Sequence, residues 1–224
     1  MAVAVRFRAA VALVGRFPAL AGVDLDVAAG EVLLVTGPNG AGKTSLLRAC
    51  AGLLAVSAGE AHVLGHDLRR DRRSVRRSVA MLGHASFLYD DLTVADNVRF
   101  AVRAARGDPS AVDPALARLG LGGRLRRTAV GRLSAGQRRR VAIATVVARG
   151  PELWLLDEPH AGLDTAGRDV LDEAMLAASA SGSTIILASH ETERAGAVAG
   201  RVARMAGGQV VAVPLPSVEP VHVA

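Results

Sequence analysis

The chain has one cysteine, Cys50, among 224 residues, so no disulfide can form within it. Its fold must rest on a core, and such thiol poverty fits a reducing, cytosolic compartment. Aromatic residues are only 3% of the chain: four Phe, one Tyr and one Trp. That scarcity removes the stacking platforms on which single-stranded nucleic acid is bound. It also leaves the core to Ala, Val and Leu. No uninterrupted apolar run reaches the length of a membrane-spanning helix. Arg6 and Arg8 before Ala9–Val14 only faintly imitate a signal sequence, and short strands over 2–8 and 11–14 are the better reading. Lysine is nearly missing too. Of 27 Lys and Arg residues, only Lys43 is lysine. The Ala-, Gly- and Arg-heavy composition suggests GC-rich coding that drifts toward Arg. A lysine kept in that background marks a place where a compact ammonium fits and a planar guanidinium does not.

What remains is enough for one sizeable domain, read here as 1–213 with a tail over 214–224. The net charge of +6 makes acidic partners plausible: nucleotides, anionic lipid or nucleic acid. The densest basic run, Arg69 to Arg77, has no aromatic interleaved. It reads as a solvated or membrane-proximal helix rather than a nucleic-acid footprint.

The motif around which the chain is organised contains that lysine. Gly37-Pro38-Asn39-Gly40-Ala41-Gly42-Lys43-Thr44 fits the G-x-x-x-x-G-K-[ST] phosphate loop at every required position. The apolar run Val32–Thr36 leads in and a helical pattern from Ser45 to Leu53 leads out, which is the context such a loop needs. Glycines let backbone N–H groups turn inward, and the helix N-terminus adds positive potential for phosphates. Lys43 can reach the β- and γ-phosphates, and the Thr44 hydroxyl can hold Mg²⁺. Ser45 is counted with these nucleotide contacts.

Along the chain, Val23–Val27 alternates as a half-buried strand, and Ala61–Leu64 and Val79–Leu82 read as further strands. Helical spacing from Thr93 to Arg106 and over Val112, Leu116 and Leu119 makes residues 84–131 a helical insert between strands. Ser134 and Gln137 have the Ser-x-x-Gln form of a capping box opening a helix through Arg149. Leu153–Asp157 is a buried strand ending in two carboxylates, Asp157 and Glu158. A helix from Thr165 to about Ser181 follows, then a strand from Ser183 to Ala188 with Ser189-His190 at its C-terminal end. A short helix, Glu191–Ala199, precedes a hairpin of Arg201–Ala206 and Gln209–Val213 around Gly207-Gly208. Asp157 matches the strand-end aspartate that approaches Mg²⁺ in phosphate-loop NTPases, and Glu158 suits a general base for water.

This ordered set resembles the ATP-binding subunits of ABC transporters over nearly the whole chain. Gly37–Thr44 and Leu153–Glu158 match the two nucleotide motifs. Leu133-Ser134-Ala135-Gly136-Gln137 matches the family signature, Ala161-Gly162-Leu163-Asp164 the D-loop, and His190 the switch histidine. The resemblance implies an α/β phosphate-loop NTPase fold with a mainly parallel core sheet, an antiparallel β subdomain and the helical insert. It implies an ATPase that pairs head to tail with a second copy, two ATP molecules lying between them. Lys43, Thr44 and Asp157 would hold ATP–Mg²⁺ in one subunit. Ser134, Gly136 and Gln137 of the other would meet the γ-phosphate, and Asp164 would link the two sites. Glu158 and His190 would orient water. Integral-membrane subunits would receive the motion, placing the chain at the cytoplasmic face of the membrane.

Three positions depart from the family pattern. Ala135 stands where Gly is usual. His84 stands where Gln usually meets Mg²⁺ and the membrane partner, so its place as a metal ligand is open between that role and a locally hydrogen-bonded loop imidazole. Val14 stands where an aromatic usually stacks on adenine, with Phe17 the nearest one. Ala135, Leu82-Gly83-His84 and the compact length are similar to the haem-exporter ATPase of cytochrome c maturation. The alternatives are an ABC exporter ATPase for a drug, lipid or peptide, a soluble ABC ATPase on nucleic acid or ribosomes, and a nucleotide-binding regulator that does not turn over.

Overall fold

The computed structural model describes residues 2–212. The chain opens with β1 (Val3–Val14) and β2 (Phe17–Ala28), an antiparallel pair. Two short strands were expected where β1 runs unbroken. Ala9 absorbs the irregularity as a bulge, with a left-handed φ of 45° and its N–H on Asp24 Oδ1 at 2.9 Å. The facing strand must leave room for it. In β4 (Val56–Val63), a Cβ at Gly59 would lie 2.2 Å from the Ala9 carbonyl oxygen. Between these strands lie β3 (Val32–Thr36) and α1 (Lys43–Cys50), and β5 (His66–Asp67) completes a four-stranded sheet in the order β2-β1-β4-β5.

The basic run is not one solvated helix. α2 (Leu68–Asp71) stops where the Asp71 side chain accepts from Arg73 N–H, and a 3-10 turn over Ser74–Arg77 follows. Leu68 and Val75 are buried, and Arg76 donates to the Gly52 carbonyl. The arginines of the run are all exposed, as expected, and within Arg69–Arg77 only Val75 is buried.

After β6 (Val79–Leu82) come α3 (Val94–Ala104), α4 (Val112–Arg118) and α5 (Ala135–Arg149). Thr93 and Ser134 cap α3 and α5, and the Ser134–Gln137 capping box forms in full. The remainder is β7 (Leu153–Asp157), α6 (Thr165–Ala180), β8 (Thr184–Ala188), α7 (Thr192–Val198), β9 (Arg201–Ala206) and β10 (Gln209–Ala212). The residue expected to end the last strand, Val213, and the tail over 214–224 lie outside the described residues.

The second sheet runs β10-β9-β3-β8-β7-β6, parallel except for β10. Strands β3, β7 and β8 are nearly continuous apolar runs, as strands covered on both faces are. Val32, Leu34, Trp154, Leu156, Ile185 and Leu187 face a core shared with α3 to α6. Leu33, Val35, Leu153, Leu155 and Ile186 face a second core shared with α1 and the antiparallel sheet. Cys50 lies in that second core, where burial pushes its thiol up to about 12. The C-terminal ends of β3, β7 and β8 emerge side by side, where an open parallel sheet places its ligands.

Candidate functional site

The loop after β3 needs its glycines for space as well as for φ. Gly37 and Gly42 have φ of 141° and 103°. A Cβ at Gly37 would lie 2.2 Å from the Met205 carbonyl oxygen, and one at Gly42 would lie 2.6 Å from that of Ala19. The loop is thus wedged between the ends of β9 and β2. Gly42 is the N-cap of α1 and supplies no capping side chain, and no acidic residue sits in the first turn. The first N–H groups of α1 are left for an anion. Lys43 is buried and spans the loop, donating to the carbonyls of Gly37 at 2.7 Å and Pro38 at 3.2 Å.

Strands β7 and β8 deliver the carboxylates and the histidine to the same place. A cavity of about 350 Å³ is lined by Asn39, Gly40, Ala41, Gly42, Lys43, Thr44 and Ser45 from the loop. Its other walls include His84 after β6, Asp157 and Glu158 after β7, and His190 after β8. Thr44 Oγ1 donates to Asp157 Oδ2 at 2.6 Å. This pair presents a hydroxyl and one carboxylate, hard oxygen donors that suit Mg²⁺ when phosphate oxygens and water supply the remaining ligands. Among the described residues no group of three or more His, Cys, Asp or Glu could hold a metal, so an all-protein cage is not the design.

Glu158 has an unusual backbone, with φ of 46° for a non-glycine residue. Its Oε2 accepts from Ser189 Oγ at 3.3 Å and His190 N–H at 3.2 Å. Its Oε1 is buried without a hydrogen-bond partner, and the nearest cation-forming group is His190 Nε2 at 3.5 Å. An acceptor held this way, beside an imidazole, can take a proton from a water in the cavity.

Ser134, Gly136, Gln137 and Asp164 do not line this cavity. They form a second constellation at the start of α5. Gln137 N–H donates to Ser134 Oγ, and Gln137 Oε1 accepts from Ser134 N–H. Gln137 is therefore engaged as a cap within the chain, while the Ser134 hydroxyl still has its hydrogen to donate. Gly136 passes close to the D-loop, where a Cβ would come 3.3 Å from the Gly162 carbonyl oxygen. Asp164 caps α6 through Gly167 N–H and accepts from Arg140 Nη2 on both carboxylate oxygens, Oδ1 at 2.6 Å and Oδ2 at 2.8 Å. The Arg140 bond, reinforced by the Gly167 N–H, holds its carboxyl below the ordinary aspartate range.

Several residues with structural reach were not visible in the pattern. Asn97 is buried on α3 and clamps the loop before it, through Tyr89 N–H and the carbonyls of Tyr89, Leu92 and Thr93. His160 is buried and bonds Asp172 at 2.7 Å, and Asp172 in turn accepts from Arg194 on α7. Arg139 reaches the backbone behind the carboxylates. Its burial lowers the guanidinium pKa, against the opposing pull of Asp157 and Glu158. A polar side chain at an apolar helix position is the signal that could have found Asn97. Contacts between distant loops leave no such trace.

Comparison with known proteins places this geometry. The family model described as ABC transporter matches residues 20–161. A cytochrome c biogenesis ATP-binding export protein CcmA of Salmonella paratyphi A is 40% identical over 84% of the chain and 90% of the relative. The CcmA protein of Shewanella frigidimarina is 35% identical over 76% of the chain and 78% of the relative. Among solved structures, an ATP-binding subunit of an ABC transporter superposes with a TM-score of 0.83 at 26% identity, covering 92% of this chain and 87% of that one. The cassette MJ0796, in a dimeric post-hydrolysis state bound to ADP and Pi, superposes at 0.84 with 23% identity, covering 92% and 96%.

Proposed function

This chain belongs to the ABC transporter family of ATP-hydrolysing cassettes, and from that premise we propose that it powers haem export for cytochrome c biogenesis through a separate membrane subunit. The observation that carries the ATPase chemistry is the single cavity that gathers Lys43, Thr44, Asp157, Glu158 and His190. Two features support the export role: the CcmA relatives, which share most of the chain, and Ala135 in the signature. Among the described residues no helix is long and apolar enough to cross a membrane, which fits a subunit bound at the cytoplasmic face by its partner.

In this reading Lys43 and the α1 N–H groups orient the phosphates of ATP. Thr44 and Asp157 would hold Mg²⁺, which would supply positive charge to offset that of the phosphates. Glu158 takes the proton of the attacking water, and His190 contacts the γ-phosphate and positions that water. Ser134, Gly136 and Gln137 lie apart from the cavity, which fits their service to the ATP of a second copy. Asp164 would have to exchange part of its Arg140 pairing for contacts across that interface. His84 lines the cavity, consistent with its standing in for the usual glutamine near Mg²⁺. The exposed aromatics Phe87, Tyr89 and Phe100 lie beyond it, Tyr89 and Phe100 edge to face at 5.2 Å. Their exposure supports a docking face for the membrane subunit.

Phe17 is the candidate for adenine. It is 80% exposed and lies two residues before Ala19, which lines the cavity. Phe17→Ala should weaken ATP and ADP binding alike, roughly 5- to 150-fold if stacking contributes on the order of 1–3 kcal/mol. Inorganic triphosphate should bind as before. Equal weakening of triphosphate would show that Phe17 shapes the loop rather than holding the base.

The export role is tested in cells. Chromosomal Glu158→Gln should abolish covalently bound haem in membrane cytochromes, with wild-type copy restoring it. Unchanged c-type cytochromes would reject the haem reading and leave the ATPase reading standing. The membrane protein that co-purifies with the chain would then identify the cargo pathway.

A further inference from the structure

Three successive arginines follow the signature, and α5 sends each to a different place. Arg138 pairs with Asp90 at 2.6 Å, and Arg140 pairs with Asp164. Arg139 bonds to no carboxylate. Its guanidinium instead donates to three main-chain carbonyls: Nη1 to Gly83 at 2.7 Å, and Nη2 to Glu158 at 2.7 Å and Asp157 at 3.3 Å. Its Nε is buried without a partner. The side chain therefore bridges the turn after β6 and the turn after β7 from behind.

The second of those turns needs holding. Glu158 sits at φ 46°, a conformation that disfavours any side chain with a Cβ. Its N–H is fixed by the Ala188 carbonyl at 2.8 Å, and its own carbonyl accepts from Arg139 at 2.7 Å and, more weakly, from Ala161 N–H at 3.2 Å. Gly83 immediately precedes His84, so the same guanidinium ties the His84 loop to the Glu158 backbone. Only a planar fork with several fixed donors can span both turns; an ammonium is a point donor without that geometry.

We propose that Arg139 is a positioning residue for hydrolysis: it locks Glu158 in its left-handed turn and links that turn to the His84 loop. The inference rests on the reading of Glu158 as the base. A displaced base loses its alignment with water while the phosphate loop, which Arg139 does not touch, keeps its affinity for ATP.

The test compares Arg139→Met and Arg139→Lys with wild type, using the full chain with the membrane subunits that co-purify with it. ATP–Mg²⁺ turnover, KM and thermal melting are measured together. Arg139→Met should lower kcat about 100-fold and Arg139→Lys about 10-fold, with KM within about threefold of wild type, as misplacement near 1 Å can do. Added to Glu158→Gln, Arg139→Lys should lower the residual turnover less than about twofold, because both changes disable one device. Wild-type kcat in a folded Arg139→Met protein overturns the proposal. So does a loss confined to KM, or a full further loss in the double variant. If Arg139→Met does not fold, Arg139→Lys decides by the same criteria. If Glu158→Gln turns over normally, the base assignment has failed, and that outcome is distinct from an inert Arg139.

Discussion

Glu158→Gln should lower ATP turnover by roughly 10²- to 10⁴-fold while leaving ATP–Mg²⁺ binding within a few-fold of wild type. The magnitude is that of losing a positioned general base. The selectivity follows from geometry. Gln keeps an oxygen acceptor for Ser189 Oγ and His190 N–H, the contacts that hold Oε2 in place. It cannot take a proton at the position of Oε1, which faces His190 Nε2 at 3.5 Å. Thr44, Lys43 and the α1 N-terminus are untouched. Steady-state phosphate release and nucleotide titration on the same preparation check this. Turnover within threefold of wild type would move the base elsewhere.

Lys43→Ala should act on binding instead, weakening ATP affinity by roughly 10²- to 10³-fold. Truncating one partner of a buried charged contact costs about 2–5 kcal/mol. Lys43 is buried in the loop, and its ammonium already lies where the carbonyls of Gly37 and Pro38 converge. Lys43→Arg should fail almost as badly. A planar guanidinium cannot place a compact point charge where those two carbonyls converge. Calorimetric titration checks both variants, and a Kd within threefold of wild type for Lys43→Ala would remove Lys43 from the phosphate site. Because Lys43 is the only lysine, its side chain can be followed alone. Acylation of its amine by a lysine reagent should be blocked by ATP–Mg²⁺.

Much of this was legible in the sequence because local rules govern it. The apolar runs Val32–Thr36 and Val79–Leu82 are buried on both faces, so composition alone bounds them. The Ser134 capping box and the Gly207-Gly208 hairpin are short-range chemistry, and both form as expected. The separation of β1 into two strands failed because a bulge at Ala9 depends on Gly59, far along the chain. The basic run is solvated, as its charges suggest, but it is not one helix, because the Asp71 side chain accepts from Arg73 N–H and ends the first turn. The site divides the same way. Motifs named the groups that line the cavity. The supports behind them, Arg139 and the His160–Asp172–Arg194 chain, join residues from separate elements by side-chain contacts no spacing encodes.

The central claim is that the cavity is one half of a site completed by the signature of a second copy. Ser134 and Gly136 do not line the chain's own cavity, and that is the observation behind the claim. Sedimentation of Glu158→Gln at saturating ATP–Mg²⁺, with the membrane subunits present, measures it most directly. The expected result is a complex holding two copies of the chain and two ATP molecules, lost when Ser134→Arg is added. One copy per complex, or two copies whose ATP count is unchanged by Ser134→Arg, would contradict the head-to-tail account.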